Sequence, residues 1–423
     1  MRTARRQAHR TRRSCQLLLL SVLSSVAVPI AIPAQVPGRA KAERGARVRL
    51  GIEVLLGDSL HLVRGKRVGL ITNQSGITPD GRSTIDLLHD APGVRLTALF
   101  APEHGLRGTE NAGQRIASSV DSATGVPVYS LYGDTRVPTE AMLKDVDVLV
   151  YDVQDVGARV YTFEWTMALS AAAAKRKFIV LDRPNPVRGD RVEGGVLDSA
   201  FKSFVGQFPV AMRYGLTPGE LLRYLVGSGQ IDADVTVVPM SGWQRAMWWE
   251  ETGLPWRNPS PNIRTPDAAL LYTGTVFFEG TNLSEGRGTA SPFQLIGAGW
   301  LSDAGAIARE LNAKHIAGVV FDSTQVTVDA GQKWGGARIP MVAIVVSDRN
   351  AVRPHEVGLQ LLREIFKRHP RDFEWRPSID RLSGSDRLRK AVQEEGGIER
   401  LIPLLNAEAR EFELKTRPYL LYK

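Results

Sequence analysis

Cysteine is almost missing from this chain. Cys15 stands alone among 423 residues, so no intramolecular disulfide can form and stability has to come from apolar cores. Several site signatures are missing too. No Gly-x-Gly-x-x-Gly follows the first apolar run, which argues against a dinucleotide on the sheet. No Gly-x-x-x-x-Gly-Lys-Ser/Thr loop and no Gly-x-Ser-x-Gly elbow occur. The seven histidines are scattered without His-Glu-x-x-His spacing, so the expectation is no metal and no organic cofactor. No basic stripe with interleaved aromatics marks a nucleic-acid face.

The basic balance is concentrated at the start. Arg2, Arg5, Arg6, Arg10, Arg12 and Arg13 precede an apolar run from Leu17 to about Ile32, with small residues at Ser25, Ala27 and Ala34. This pattern reads as a secretory signal peptide over residues 1–34, too short and wrongly flanked for an anchor, followed by a disordered spacer over residues 35–47. Removing it takes the formal net charge from +9 to about +3. The expected location is periplasmic or secreted, with no membrane anchor after cleavage and no nucleic-acid partner. Over the whole chain, 43% hydrophobic and 23% charged residues describe a globular protein, and the length suits two domains.

From Val48 to about Pro186, apolar runs alternate with helical patterns. Val48–Leu56, Arg67–Thr72, Leu96–Phe100, Val126–Leu131, Val146–Tyr151 and Phe178–Leu181 read as strands. Helices are expected from the Ser83-Thr84 cap through Leu88, near Pro138–Leu143, and over Thr162–Arg176. Near-continuous apolar strands joined by helices mean an α/β fold with a parallel sheet covered on both faces. The chain then changes character. Gly242–Trp249 and Leu254–Asn262 read as aromatic-lined loops, Ala317–Phe321 and Ile339–Ser347 as strands, and Pro354–His369 and Pro403–Lys415 as helices. Domains are accordingly expected over residues 48–194 and 195–423.

The strand ends carry the chemistry. Arg67–Thr72 runs into Asn73-Gln-Ser-Gly, Leu96–Phe100 into Ala-Pro-Glu103-His104-Gly, Val146–Tyr151 into Asp152-Val-Gln-Asp155, and Phe178–Leu181 into Asp182-Arg183-Pro-Asn185-Pro. Open parallel sheets bind ligands at that edge. Each polar group has a bland alternative: Glu103 and His104 as turn cap and backbone-satisfied ring, Asp152 or Asp155 as helix cap, and the Asp182 to Pro186 loop as a hinge. Glu279, Asn282, Glu285 and Arg287 fall in a glycine-rich stretch that reads either as site or as surface loop. Carboxylates, amides, arginines and exposed aromatics are the parts of a carbohydrate site, in which two carboxyls work on a glycosidic bond.

Longer motifs narrow this. Val68-Gly-Leu-Ile-Thr-Asn-Gln-Ser-Gly76, Leu99-Phe-Ala-Pro-Glu-His-Gly-Leu-Arg-Gly108, Tyr129-Ser-Leu-Tyr-Gly133, Tyr151-Asp-Val-Gln-Asp-Val-Gly-Ala-Arg159, Leu181-Asp-Arg-Pro-Asn-Pro186, Pro259-Ser-Pro-Asn262 and Glu279-Gly-Thr-Asn-Leu-Ser-Glu-Gly-Arg-Gly288, in this order, resemble the bacterial exo-β-N-acetylmuramidases. The resemblance runs from about Val48 to Lys423. It implies a Rossmann-like N-terminal domain, a smaller C-terminal α/β domain and a cleft between them. It also implies release of N-acetylmuramic acid from the non-reducing end of peptidoglycan-derived disaccharides or glycan chains. Matched by motif, Glu103 is the favoured catalytic acid, with Tyr132, Asp152 and Glu285 as candidates for a second catalytic group. The same motifs supply Asn73, His104, Arg107, Asp155, Arg159, Arg183, Asn185, Asn282 and Arg287 as substrate-binding candidates. Arg159, Arg183 or Arg287 would meet the lactyl carboxylate. Rival readings are a muropeptide-binding protein without turnover and a hydrolase of another cell-wall bond.

Overall fold

The structure, a computed structural model, describes residues 47–108 and 118–423. The expected signal peptide, Cys15 and all of the spacer but Arg47 lie outside the described residues. In chain order the helices are α1 (Gly51–Asp58), α2 (Thr84–His89), α3 (Glu140–Leu143), α4 (Phe163–Ala174), α5 (Pro218–Gly227), α6 (Pro266–Thr275), α7 (Ala304–Ala313), α8 (Pro354–Arg368), α9 (Ile379–Ser383), α10 (Arg387–Gln393) and α11 (Gly397–Thr416). The strands are β1 (Arg67–Thr72), β2 (Arg95–Ala101), β3 (Ser119–Val120), β4 (Pro127–Ser130), β5 (Val148–Asp152), β6 (Lys177–Leu181), β7 (Glu193–Val196), β8 (Ala211–Arg213), β9 (Val235–Val238), β10 (Leu295–Gly297), β11 (Val319–Thr327) and β12 (Arg338–Val346).

The described residues form one seven-stranded sheet in the order β3-β4-β2-β1-β5-β6-β9, a three-stranded sheet β10-β12-β11, and the β7-β8 hairpin. Within the large sheet only the β3-β4 pairing is antiparallel. Its central strands are buried on both faces, as continuous apolar runs require. Side-chain alternation sends Leu70, Leu99, Val150 and Ile179 toward α1 and α2. Ile71, Phe100, Tyr151 and Val180 go to the other core, with α4 and α5. That second core runs on without a break into α6, α7, α8 and α11. The smaller C-terminal α/β part therefore shares apolar packing with the sheet.

Three expectations need correction. Val48–Leu56 is no strand: it ends in helix α1, where Glu53 accepts a hydrogen bond from the Leu50 amide at 2.9 Å. Gly51 there lies flat on the chain after β6, where a Cβ would come 2.3 Å from the Asp182 nitrogen. The sheet also reaches past residue 194, because β9 pairs in parallel with β6. Finally, the tryptophans of the Gly242–Trp249 stretch are packing residues: Trp243, Trp248 and Trp249 are at most 9% exposed.

Two features of the core generate tests. Asp155 and Glu164, at the start of α4, are both buried and hydrogen-bonded to each other. The Tyr214 hydroxyl and the Gly157 amide also donate to Asp155. Burial first, then the Asp155 charge, holds the Glu164 carboxyl well above its usual range, and burial raises Asp155 as well. One proton is therefore held between two carboxyls. Separately, α6 and α8 cross backbone to backbone. A Cβ on Gly274 would sit 1.8 Å from the Pro354 oxygen, and one on Gly358 would sit 2.1 Å from the Gly274 oxygen.

A raised folded pKa stabilises below the unfolded carboxyl range, and the contribution is lost as pH rises through the folded value. Glu164→Gln, which cannot ionise, should therefore lose less stability than wild type between about pH 5 and about pH 8. The difference should be about 1.4 kcal/mol for each pH unit in which only the folded carboxyl keeps its proton. Urea midpoints at the two pH values measure it, and parallel losses would contradict the shared proton. For the crossing, alanine recovers about 1 kcal/mol of helix propensity over glycine, whereas overpacking costs about 1–3 kcal/mol or more. With overlap this severe the second effect wins, so Gly358→Ala should lower the urea midpoint. A raised midpoint would show that the helices part easily.

Candidate active site

Because β1, β2, β5 and β6 are mutually parallel, the loops after them leave from one edge of the sheet. A cavity of about 220 Å³ lies at that edge. The sheet loops contribute Glu103, His104, Tyr132, Arg136, Tyr161, Thr162 and Phe163. Later segments contribute Phe204, Ser260, Asn262, Tyr272, Glu279, Arg287 and Phe293.

Glu103 reaches the cavity through a tight turn. β2 ends at Ala101, the Gly105 amide donates to the Pro102 carbonyl at 3.0 Å, and His104 takes a left-handed φ of 70°. Such a φ is uncommon for a residue with a Cβ. The Glu103 carboxyl is buried, and the Thr162 hydroxyl donates to its Oε2 at 2.6 Å. The His104 ring meets Phe163 edge-on, with centroids 6.4 Å apart. Tyr132 follows β4 and hydrogen-bonds to Glu103. Burial first, then the Glu103 charge, raises its phenol against the pull of Arg136, so Tyr132 stays neutral.

The Glu279 side lies on a chain of ion pairs. Arg287 Nη2 is 2.7 Å from Glu279 Oε1, Arg287 Nη1 is 2.9 Å from Glu285 Oε1, and Lys333 Nζ is 2.9 Å from Glu285 Oε2. Burial pushes both carboxyls up. At Glu285 the two cations outweigh it and the carboxyl stays below its usual range. At Glu279 burial wins over Arg287 and the carboxyl is raised. Arg287, bracketed by both glutamates, keeps its proton despite burial. Two carboxyls pushed in opposite directions are what acid and base roles require, though of this pair only Glu279 lines the cavity.

Of the residues singled out from the sequence, Glu103, His104, Tyr132 and Arg287 line the cavity, and Glu285 stands one ion pair behind. The others are placed elsewhere. Asp152 accepts from Arg183 Nε at 2.5 Å and Nη2 at 3.1 Å, and also from the Thr84 hydroxyl. This buried pair satisfies itself. Asp155 shares its proton with Glu164. Arg159 donates to the carbonyls of Gly195, Val210, Leu382 and Ser383. Asn73 closes a turn by accepting from the Ser75 amide and hydroxyl. Asn185 spans Val187 and Leu216, and Asn282 spans Asp372 and Glu374. Arg107 is 74% exposed and ion-paired with Asp121 at 3.5 Å.

Sequence reasoning missed Arg136, Thr162, Phe204, Tyr272 and Phe293, and it left Glu279 without a role. Thr162 read as the first residue of a helix, and Tyr272 lies in a helix with no polar face to set a period. Arg136 alone had a legible signal, four residues after Tyr132 in a polar loop that follows a strand.

Over residues 68–267 the sequence matches the N-terminal part of the family described as exo-beta-N-acetylmuramidase NamZ. Over residues 270–422 it matches the C-terminal part. It is 41% identical over 381 residues to the peptidoglycan beta-N-acetylmuramidase NamZ of Bacillus subtilis (strain 168), covering 89% of this chain and 92% of that protein. Crystal structures of two DUF1343 family proteins of Bacteroides fragilis NCTC 9343 have the same fold. One has a TM-score of 0.82 at 37% identity, the other 0.70 at 28%, each covering 89% of this chain and 99% of the other. The two family parts follow one another along the described fold and meet at the cavity, and the chain belongs to the exo-β-N-acetylmuramidase NamZ family.

Proposed function

We propose that the chain is an exo-acting glycoside hydrolase that releases N-acetylmuramic acid from the non-reducing end of peptidoglycan glycan fragments in cell-wall turnover and recycling. The observation that carries the reading is one cavity, shared by both family parts, into which each part sends a buried or half-buried carboxyl, Glu103 and Glu279. Glycosidic bond cleavage through an oxocarbenium-like transition state uses two such groups. Glu103 is the proton donor to the leaving oxygen, held in place by the Thr162 hydroxyl. Glu279 acts on the sugar carbon, either directly or through a water, and Arg287 sets its charge. Neutral phenols at Tyr132, Tyr161 and Tyr272 line the space between polar ends. His104 orients the Glu103 turn. The Arg-rich, apolar start supports export to the periplasm or medium, where such substrates are found.

Turnover of a chromogenic N-acetylmuraminide, with mass analysis of the product from a natural disaccharide, tests the assignment. Binding without turnover would make it a muropeptide-binding protein, and a different product mass would make it a hydrolase of another bond. Glu103→Gln keeps the shape and loses the proton, so kcat on the natural disaccharide should fall by about 10²–10⁴-fold. The deficit should shrink when the leaving group is an activated phenol. Substituting His104 should give no such dependence, and equal deficits on both substrates for Glu103→Gln would remove the general-acid role. Export predicts that intact-mass analysis of the exported protein shows loss of roughly the first 30 residues. A retained Met1 would contradict it.

A further inference from the structure

The cavity contains a cation that no carboxylate among the described residues pairs with. Arg136 borders it, in the loop between β4 and α3, a loop fixed by Thr135 donating to the Val137 carbonyl at 2.6 Å. Two rings hold its guanidinium from adjacent sides, with Cζ 3.8 Å from the Tyr132 centroid and 4.2 Å from the Phe204 centroid and the centroids 5.8 Å from each other. Its Nη1 is buried without a hydrogen-bond acceptor. The other arginines raised as carboxylate readers are all occupied, Arg159 by four carbonyls, Arg183 by Asp152 and Arg287 by two glutamates.

The clamp has a chemical consequence. Two ring faces tilted 54° to one another fix the guanidinium in position, and their attraction for the cation still leaves Nη1 without an acceptor. Tyr132 is neutral, so no phenolate neutralises the charge. A partly desolvated, pre-oriented guanidinium with an open donor at Nη1 matches a carboxylate. Muramic sugars differ from N-acetylglucosamine by a lactyl ether whose carboxylate is the only charge distinguishing them.

We infer that Arg136, held against Tyr132 and Phe204, is the specificity residue that reads the lactyl carboxylate of the substrate. This rests on the muramidase reading above. It also assigns a function to Phe204: the ring holds the fork in position and does not stack on sugar.

The test compares 4-nitrophenyl N-acetyl-β-muraminide with the same glycoside carrying a lactyl carboxamide, so that leaving group and ring are unchanged. Hydrogen bonds to a charged group are strong enough that wild type should favour the acid in kcat/KM by about tenfold to hundredfold. In Arg136→Gln that ratio should collapse to within about threefold of unity, and Arg136→Lys, with charge but no fork, should fall between. Because the ratio is taken within one protein sample, losses through misfolding cancel. Arg136→Gln with the wild-type ratio, or wild type without a preference, overturns the inference while leaving the muramidase reading intact. Wild type that hydrolyses neither glycoside overturns both.

Discussion

Arg159 carries its charge at a point that water does not reach. The residue is 0% exposed, and its guanidinium donates to Gly195 and Val210 in the β7-β8 hairpin and to Leu382 and Ser383 at α9, at 2.8 to 3.2 Å. Its amide donates to the Met212 carbonyl at 2.8 Å, and its own carbonyl accepts the Trp165 indole at 2.7 Å. Burial lowers its pKa to about 10, which leaves it charged at neutral pH. An uncompensated buried charge costs several kcal/mol, so hairpin, α9 and the loop after β5 are held in a single arrangement. The residues that follow, Val160 to Phe163, line the cavity. Thr162, which donates to Glu103, is placed by this anchor.

Buried polar pairs repeat the principle along the sheet edge. Asp152 with Arg183, and Asp182 with Thr217, Gly219 and Tyr422, are each satisfied internally. The edge therefore contains far more polar groups than the site uses. Groups that satisfy one another build the walls, and those facing the cavity do the chemistry. Arg287 does both, balancing Glu279 against Glu285 and thereby separating their affinities for protons.

This division explains what the sequence disclosed. The parallel sheet was legible because β1, β2, β5 and β6 are buried on both faces and read as unbroken apolar runs. Glu103 was legible as a carboxyl just beyond such a run. Asp152, Arg159 and Arg183 look identical in sequence terms, since a charge that closes a core pair and one that meets a ligand both follow strands. Only their partners, 31 to 224 positions away, separate the two cases; the nearest is the Asp152–Arg183 pair and the farthest is Ser383 for Arg159. Helix α6 escaped because all but two of its residues are buried and it has no polar face to set a period. Helix α5 was not read from the sequence, although Thr217 and Glu220 form a capping box with Pro218 in the first turn.

The account places a muramic sugar in one cavity, with its glycosidic oxygen at residue 103. A crystal structure of the Glu103→Gln variant, slowed enough to hold a disaccharide of N-acetylmuramic acid β-linked to N-acetylglucosamine, tests this most directly. The account predicts the muramic ring among Tyr132, Tyr272 and Glu279, with the bridging oxygen within hydrogen-bonding distance of the residue 103 amide. A disaccharide bound elsewhere, or one in this cavity with the bridging oxygen turned away from residue 103, would contradict it.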